Sequence, residues 1–116
     1  MLKLLDVGVE TELKMSEFVR ICAKAELPPS GDAREFTSGE KVICIANDRG
    51  EIAAMDNACP HRGGPLGQGL VENSKMVCPW HAWAFDLKTG EAAHSPQVRA
   101  EMYEVKVDGD DVLVKL

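Results

Sequence analysis

Two short segments, CPH and CPWH, constrain the fold of this 116-residue chain more than any other feature of its sequence. Each segment offers one thiolate and one imidazole, from Cys59 with His61 and from Cys78 with His81. Both segments lie in stretches that contain proline and glycine, which favour turns over regular strands. The pattern predicts two loops that meet to form one metal site with four soft ligands.

Two kinds of metal centre use two cysteines and two histidines. Zinc sites of this composition usually take a close pair of cysteines from one stretch and a close pair of histidines from another. A Rieske [2Fe-2S] centre has two cysteines on one iron and two histidines on the other, so each of two opposing loops can supply one of each. The mixed pairs in this chain favour the Rieske centre, and a zinc-stabilised interaction module remains the alternative.

The sequence around the four ligands resembles that of a known family. The stretch CPHRGGPLG, which begins at Cys59, and the stretch CPWHAW, which begins at Cys78, are similar to the ligand loops of Rieske proteins. The resemblance implies one [2Fe-2S] cluster as the cofactor. It also implies that Cys59 and Cys78 bind the buried iron. His61 and His81 are then expected to bind the outer iron.

The same resemblance implies an all-β fold, in which a small inserted cluster-binding β subdomain projects from an antiparallel β base domain. It covers about residues 18–116, and the subdomain is expected at about residues 57–85. Residues 1–17 lie outside the resemblance and are interpreted as an N-terminal extension.

Alternating apolar and β-branched residues predict strands independently of the resemblance. Two hairpins are expected, each joined by a turn rich in Asn, Asp and Gly. Cys22 and Cys44 lie inside the alternating runs and are expected to be small buried hydrophobes without a function. The predicted strands are residues 18–23, 41–46, 51–55, 102–107 and 111–116.

The length and net charge of the chain disfavour several classes of function and partner. At 116 residues, the chain is expected to form one domain without a second catalytic domain, so we predict that it is not itself an enzyme. Nineteen acidic residues against 13 Lys and Arg give a charge of −6, which disfavours nucleic acid and anionic membranes and favours a basic partner protein. The N-terminal sequence has no uninterrupted apolar run, because Asp6 and Glu10 break it, so a cytoplasmic protein is expected.

The residues at four positions indicate the branch of the family that the chain resembles. Cytochrome bc-type Rieske proteins carry two further cysteines that join the loops as a disulfide, where this chain has Gly64 and Trp80. They also carry serine and tyrosine hydroxyls near the cluster, where this chain has Trp83 and Phe85. Such hydroxyls donate hydrogen bonds that stabilise the reduced cluster. Their absence predicts a low reduction potential, roughly −150 mV rather than roughly +300 mV.

The low-potential type resembles the soluble ferredoxins of bacterial ring-hydroxylating dioxygenases. This resemblance implies a carrier that takes electrons from a reductase and passes them to a terminal oxygenase. The alternative acceptor is a nitrite reductase, with the chain as its small subunit. The sequence does not distinguish these partners.

Several residues near the loops receive supporting roles. Gly63, Gly64, Gly67 and Gly69 are expected to adopt positive φ and to bring backbone amides towards the sulfur atoms. His94 is expected on the surface, and Pro96 is interpreted as part of a loop that covers the cluster.

Overall fold

A computed structural model describes residues 18–80, 82–95 and 97–116 of the chain. The predictions for residues 1–17, His81 and Pro96 therefore lie outside the described residues. Short 3-10 turns span Lys24–Glu26 and Leu66–Gln68. The described strands are β1 (Phe18–Ala23), β2 (Ala33–Ser38), β3 (Lys41–Asp48), β4 (Glu51–Asp56), β5 (Leu70–Glu72), β6 (Lys75–Val77), β7 (Ala84–Asp86), β8 (Met102–Asp108) and β9 (Asp111–Lys115).

The base is a six-stranded antiparallel sheet in the order β1-β9-β8-β4-β3-β2. Both predicted hairpins are confirmed, one formed by β3 with β4 and the other by β8 with β9. In the first, Asp48 pairs with Glu51, and the two residues between them have positive φ. This is the backbone that a two-residue hairpin turn requires. The prediction of an all-β fold is confirmed.

A second sheet, with the order β5-β6-β7, is inserted in the chain between β4 and β8 of the base. Its strands have only three residues each. The first predicted ligand loop connects β4 to β5, and the second connects β6 to β7. The small sheet thus presents both loops. The domain limits given above stay predictions.

The core divides into two clusters that share strand β3. Ile43 to Ala46 are consecutively buried, which shows that both faces of this strand are covered. Ile43 and Ile45 pack with Val114 on one side of the sheet. Cys44 belongs to the other cluster, which also contains the cysteines of both ligand loops. The ligand loops are therefore anchored in the same core as the base.

Cys44 is a buried thiol, as predicted, and its Sγ lies 3.7 Å from Met76 Sδ. Burial, with a smaller contribution from Glu35, raises the pKa of Cys44 from 9.0 to about 12. Below about pH 9 both the folded and the unfolded chain keep this proton. Between about pH 9 and about pH 12 only the unfolded chain loses it, so the free energy of unfolding falls as the pH rises.

We therefore expect the melting temperature to fall above pH 9, with Cys44 contributing up to about 1.4 kcal/mol per pH unit to the loss. Cys44→Ala removes this ionisation. The variant should melt at a lower temperature at pH 8, because it leaves a cavity, but its melting temperature should fall less steeply between pH 9 and pH 11. Melting curves followed by circular dichroism measure both slopes, and equal slopes would contradict the assignment.

Candidate metal centre

The first ligand loop is a tight turn closed by backbone hydrogen bonds. The Cys59 amide donates to the Gly64 carbonyl at 2.8 Å, and the Gly63 amide donates to the Cys59 carbonyl at 2.6 Å. An isolated bridge pairs Ala58 with Pro65 below the turn. Gly63 has a φ of +78°, which lets the chain reverse direction. These bonds fix the Cα positions of Cys59 and of the residues up to Gly64.

The second ligand loop is closed in a similar way. The Cys78 amide donates to the Trp83 carbonyl at 2.7 Å, and the Trp80 amide lies 3.4 Å from Cys78 Sγ, which accepts its hydrogen bond. Ala82 has a φ of +56°, an uncommon value for a residue with a Cβ atom. A backbone amide directed at a cysteine sulfur stabilises negative charge on that sulfur.

The two loops bring Cys59 and Cys78 together. Both side chains are almost completely buried, with exposed fractions of 2% and 1%. Burial raises the pKa of the Cys78 thiol, and a hydrogen bond with the Cys59 thiol raises it further, whereas the Trp80 amide acts in the opposite direction. A thiol binds a metal as a thiolate, so metal binding at such a site displaces the thiol protons.

His61 in the first loop is partly buried, and its Nδ1 atom is buried. Its imidazole stacks on the indole of Trp83, with 4.1 Å between the ring centroids and 12° between the ring planes. Trp83 in turn lies 6.3 Å from the ring of Phe85, which is fully buried. The aromatic column therefore connects the predicted ligand of the first loop to the core through a residue of the second loop.

The donor set fits an iron-sulfur group. Two thiols shielded from water and one imidazole supply the soft and borderline ligands that iron-sulfur centres use. Across the described positions, which leave out His81, no three Cys, His, Asp or Glu side chains converge as a site for a single ion. His94 lies on the surface, as predicted.

Three of the four glycines near the loops have a different role from the one predicted. Gly63 adopts positive φ, whereas Gly64, Gly67 and Gly69 do not, so the prediction for those three was wrong. Their common property is lack of space: a Cβ atom at any of the three positions would approach another atom closer than 3.0 Å. The positions need glycine because neighbouring groups pack against their Cα atoms.

Gly64 and Trp80 lie in contact across the two loops. A Cβ atom on Gly64 would lie 2.8 Å from Cys78 Sγ and 3.0 Å from two atoms of the Trp80 ring. Trp80 is half exposed, at 49%, so one part of its ring covers the Gly64 backbone while the rest faces solvent. These are the positions at which the cytochrome bc type has its additional cysteines. Here packing between the loops takes the place of a covalent link.

Gly64→Ala should accordingly push the second loop away from Cys59 and weaken cluster binding by about 1–3 kcal/mol, the usual cost of overpacking. We expect the visible absorbance of the bound cluster to decay roughly ten times faster in the presence of a chelator. Gly63→Ala is the matched control, because its φ of +78° is strained for alanine while no atom lies within 4 Å of the new Cβ. Equal decay rates in the two variants would show that the contact with Cys78 is unimportant.

Comparison with known proteins shows the family to which the chain belongs. Residues 17–114 match the family model described as the Rieske [2Fe-2S] domain. The chain belongs to the Rieske [2Fe-2S] domain family. The ferredoxin component of biphenyl 2,3-dioxygenase from Rhodococcus jostii (strain RHA1) is 35% identical to this Rieske domain over 98 residues, which are 84% of this chain and 91% of the relative.

Solved structures share the fold of this Rieske domain. One is the complex of reduced oxygenase and oxidized ferredoxin in carbazole 1,9a-dioxygenase, in which the matching chain has 27% identity and a TM-score of 0.73, with 84% of this chain and 92% of that chain covered. Another, from Mycobacterium tuberculosis, is assigned as an NADH-dependent nitrite reductase small subunit, with 22% identity, a TM-score of 0.74 and coverage of 84% and 92%.

Some relatives are much longer than this Rieske domain. Apoptosis-inducing factor 3 from Homo sapiens is 31% identical over 87 residues, which are 74% of this chain and 14% of that relative. The chain thus spans about one seventh of the human protein, and the same holds for the relative from Mus musculus.

Among residues 18–80, 82–95 and 97–116, no helix has the length and apolar character needed to cross a membrane.

Proposed function

We propose that this Rieske domain is an electron carrier that accepts single electrons from a reductase and delivers them to a terminal oxygenase. The observation that carries the proposal is the burial of the Cys59 and Cys78 thiols, which come from two separate loops, in one core cluster. Sulfur ligands shielded from water are what an iron-sulfur cluster requires.

We assign Cys59 and Cys78 to one iron and His61 and His81 to the other. The burial of the two thiols supports the first pair. The buried Nδ1 atom supports the assignment of His61, and the assignment of His81 rests on its place in the CPWH segment. When bound, the cluster supplies reversible one-electron chemistry. The protein excludes water from the sulfurs, donates the Trp80 amide to Cys78 and orients the His61 ring against Trp83.

We expect a reduction potential near the low end of the Rieske range, roughly −150 mV. Hydroxyl donors to the cluster or to its cysteine sulfurs stabilise the reduced, more negative state, and the side chains of Trp83 and Phe85 have no hydroxyl to donate. Protein-film voltammetry at pH 7 measures the potential directly. A value above roughly +100 mV would contradict the low-potential assignment.

An oxygenase is a better candidate for the acceptor than a nitrite reductase. The biphenyl dioxygenase relative is a ferredoxin component, and it aligns with this chain over 91% of its own length. The likeness to the nitrite reductase small subunit, at 22% identity, extends to the fold alone. We also propose a cytoplasmic location.

Purification tests the proposal. A freely diffusing carrier should elute as a red-brown protein without a large partner and, once reduced by dithionite, should reduce cytochrome c within seconds of mixing. A fixed subunit of a nitrite reductase should instead co-purify with its large partner when the chain is isolated from its own cells. Colourless protein with one zinc ion per chain and no sulfide would favour the zinc-stabilised interaction module.

A further inference from the structure

Asn57 is the one buried polar residue outside the cysteines in the described core, with 7% of its surface exposed. It follows strand β4 directly and precedes the first ligand loop. Its side chain uses both polar atoms: Oδ1 accepts a hydrogen bond from the Gly67 amide at 2.7 Å, and Nδ2 donates to Glu35 Oε2 at 2.6 Å. A buried amide with both ends satisfied holds its neighbours in one arrangement.

The backbone of Asn57 makes two further connections. Its amide donates to the Val42 carbonyl of strand β3 at 3.0 Å, and its carbonyl accepts from the Leu66 amide at 2.8 Å. One residue therefore bonds to the base sheet and to the segment that ends the ligand loop. Cys59 and His61 lie within the loop that Asn57 closes.

Glu35 accepts hydrogen bonds from two residues at the ends of this loop, Asn57 and Gln68. It lies on strand β2, and its Oε1 atom accepts a hydrogen bond from Gln68 Nε2 at 3.2 Å, while Oε2 accepts from Asn57. A Cβ atom on Gly67 would lie 2.4 Å from Glu35 Cγ, so the glycine allows the carboxylate to approach the loop. We call Glu35, Asn57 and Gly67 the loop clamp.

We propose that Glu35 and Asn57 are positioning residues, which hold the first ligand loop at the place where Cys59 and His61 reach the cluster. This inference rests on the proposed function, because it assumes that Cys59 and His61 are ligands of the cluster. The hydrogen bonds inside the loop fix its shape, whereas the loop clamp fixes its position relative to β2 and β3. A ligand set works only when its supporting residues hold it within a fraction of an ångström.

Exchange of donor and acceptor tests the loop clamp. Asn57→Asp keeps an oxygen for the Gly67 amide but places two carboxylates against each other. The double variant combines Asn57→Asp with Glu35→Gln. The amide nitrogen of the side chain at position 35 then donates to the carboxylate at position 57, and its amide oxygen still accepts from Gln68. The swapped pair restores every hydrogen bond of the clamp with the same number of heavy atoms.

We expect the single variant Asn57→Asp to lose its cluster to a chelator at least ten times faster than the wild type and to show shifted g values in the reduced state. The double variant should return to within threefold of the wild-type rate and to its g values. Asn47→Asp is the matched control, because Asn47 Oδ1 also accepts a backbone amide, from Gly50 at 2.7 Å, and Nδ2 donates to the Pro28 carbonyl at 2.9 Å. Its variant should melt at a lower temperature without a change in g values.

Hydrogen exchange of the peptide that covers the first ligand loop gives a readout that does not depend on the cluster. The exchange should accelerate in Asn57→Asp and recover in the double variant. Failure of the double variant to recover by either readout, or equal effects of Asn57→Asp and Asn47→Asp on the g values, would overturn the role of the clamp. A wild-type protein without a Rieske signal would overturn the proposed function instead, and hydrogen exchange would still decide whether Glu35 and Asn57 position the loop.

Discussion

Replacing Cys78 by alanine is expected to yield protein that contains almost no iron or inorganic sulfide, compared with about two of each per wild-type chain. The Cys78 thiol lies in the core, in the same buried cluster as Cys59. Loss of one thiolate leaves an iron with an open position and a charge that the remaining ligands do not balance. Iron and sulfide assays with the visible spectrum measure the loss.

Cys22→Ala is the control for this variant. Cys22 is buried to the same degree, but it lies on strand β1, which belongs to the base sheet. Its removal should lower the melting temperature by a few degrees and leave the iron content unchanged. Wild-type iron and sulfide in the purified Cys78→Ala protein would remove Cys78 from the ligand set.

Among the glycines that the structure describes, Gly69 should be the one where alanine is most damaging, with a loss of about 3 kcal/mol in the free energy of unfolding. A Cβ atom there would lie 1.9 Å from the Val77 carbonyl oxygen and 3.2 Å from the Leu66 carbonyl oxygen. Both are backbone atoms and cannot rotate away as a side chain would. Val77 pairs with Leu70 and directly precedes Cys78, so relief of the clash must move the second ligand loop. Thermal unfolding and the rate of cluster loss should both change.

The matched control is Gly109→Ala, at the β8–β9 turn. Gly109 has a φ of +61° and open space around its Cα, so alanine there should cost about 1 kcal/mol through backbone strain alone and leave cluster loss unchanged. If Gly69→Ala were no more destabilised than Gly109→Ala, the close packing of the two small-sheet strands would be contradicted.

The sequence allowed the base hairpins to be predicted, because strands β3, β4, β8 and β9 each have enough residues for the apolar alternation to be evident. The strands of the small sheet were not predicted individually. Each has three residues, which is less than two full periods of alternation, and their positions depend on contacts with the ligand loops. Strand β2 was missed because its sequence, AREFTS, has little apolar alternation.

In the site, too, features within a short segment could be predicted from the sequence, whereas contacts between distant residues could not. Spacing and residue type predicted Cys59, His61, Cys78 and His81 as ligands, because the spacing of a pair of candidate ligands is evident within a short segment. The stack of His61 on Trp83 and the bond between Glu35 and Asn57 join residues that are distant in sequence. Only the pairing of strands brings them together, so the sequence carried no local signal for either contact.

Electron paramagnetic resonance at low temperature tests the central claim most directly, on anaerobically purified protein before and after dithionite, with iron and sulfide measured in the same sample. The proposed ligand set predicts no signal before reduction. After reduction it predicts a rhombic signal with an average g value below that of all-cysteine clusters, together with about two irons per chain. A sample that stays silent after reduction and contains one zinc ion per chain would contradict a Rieske centre held by Cys59, His61, Cys78 and His81.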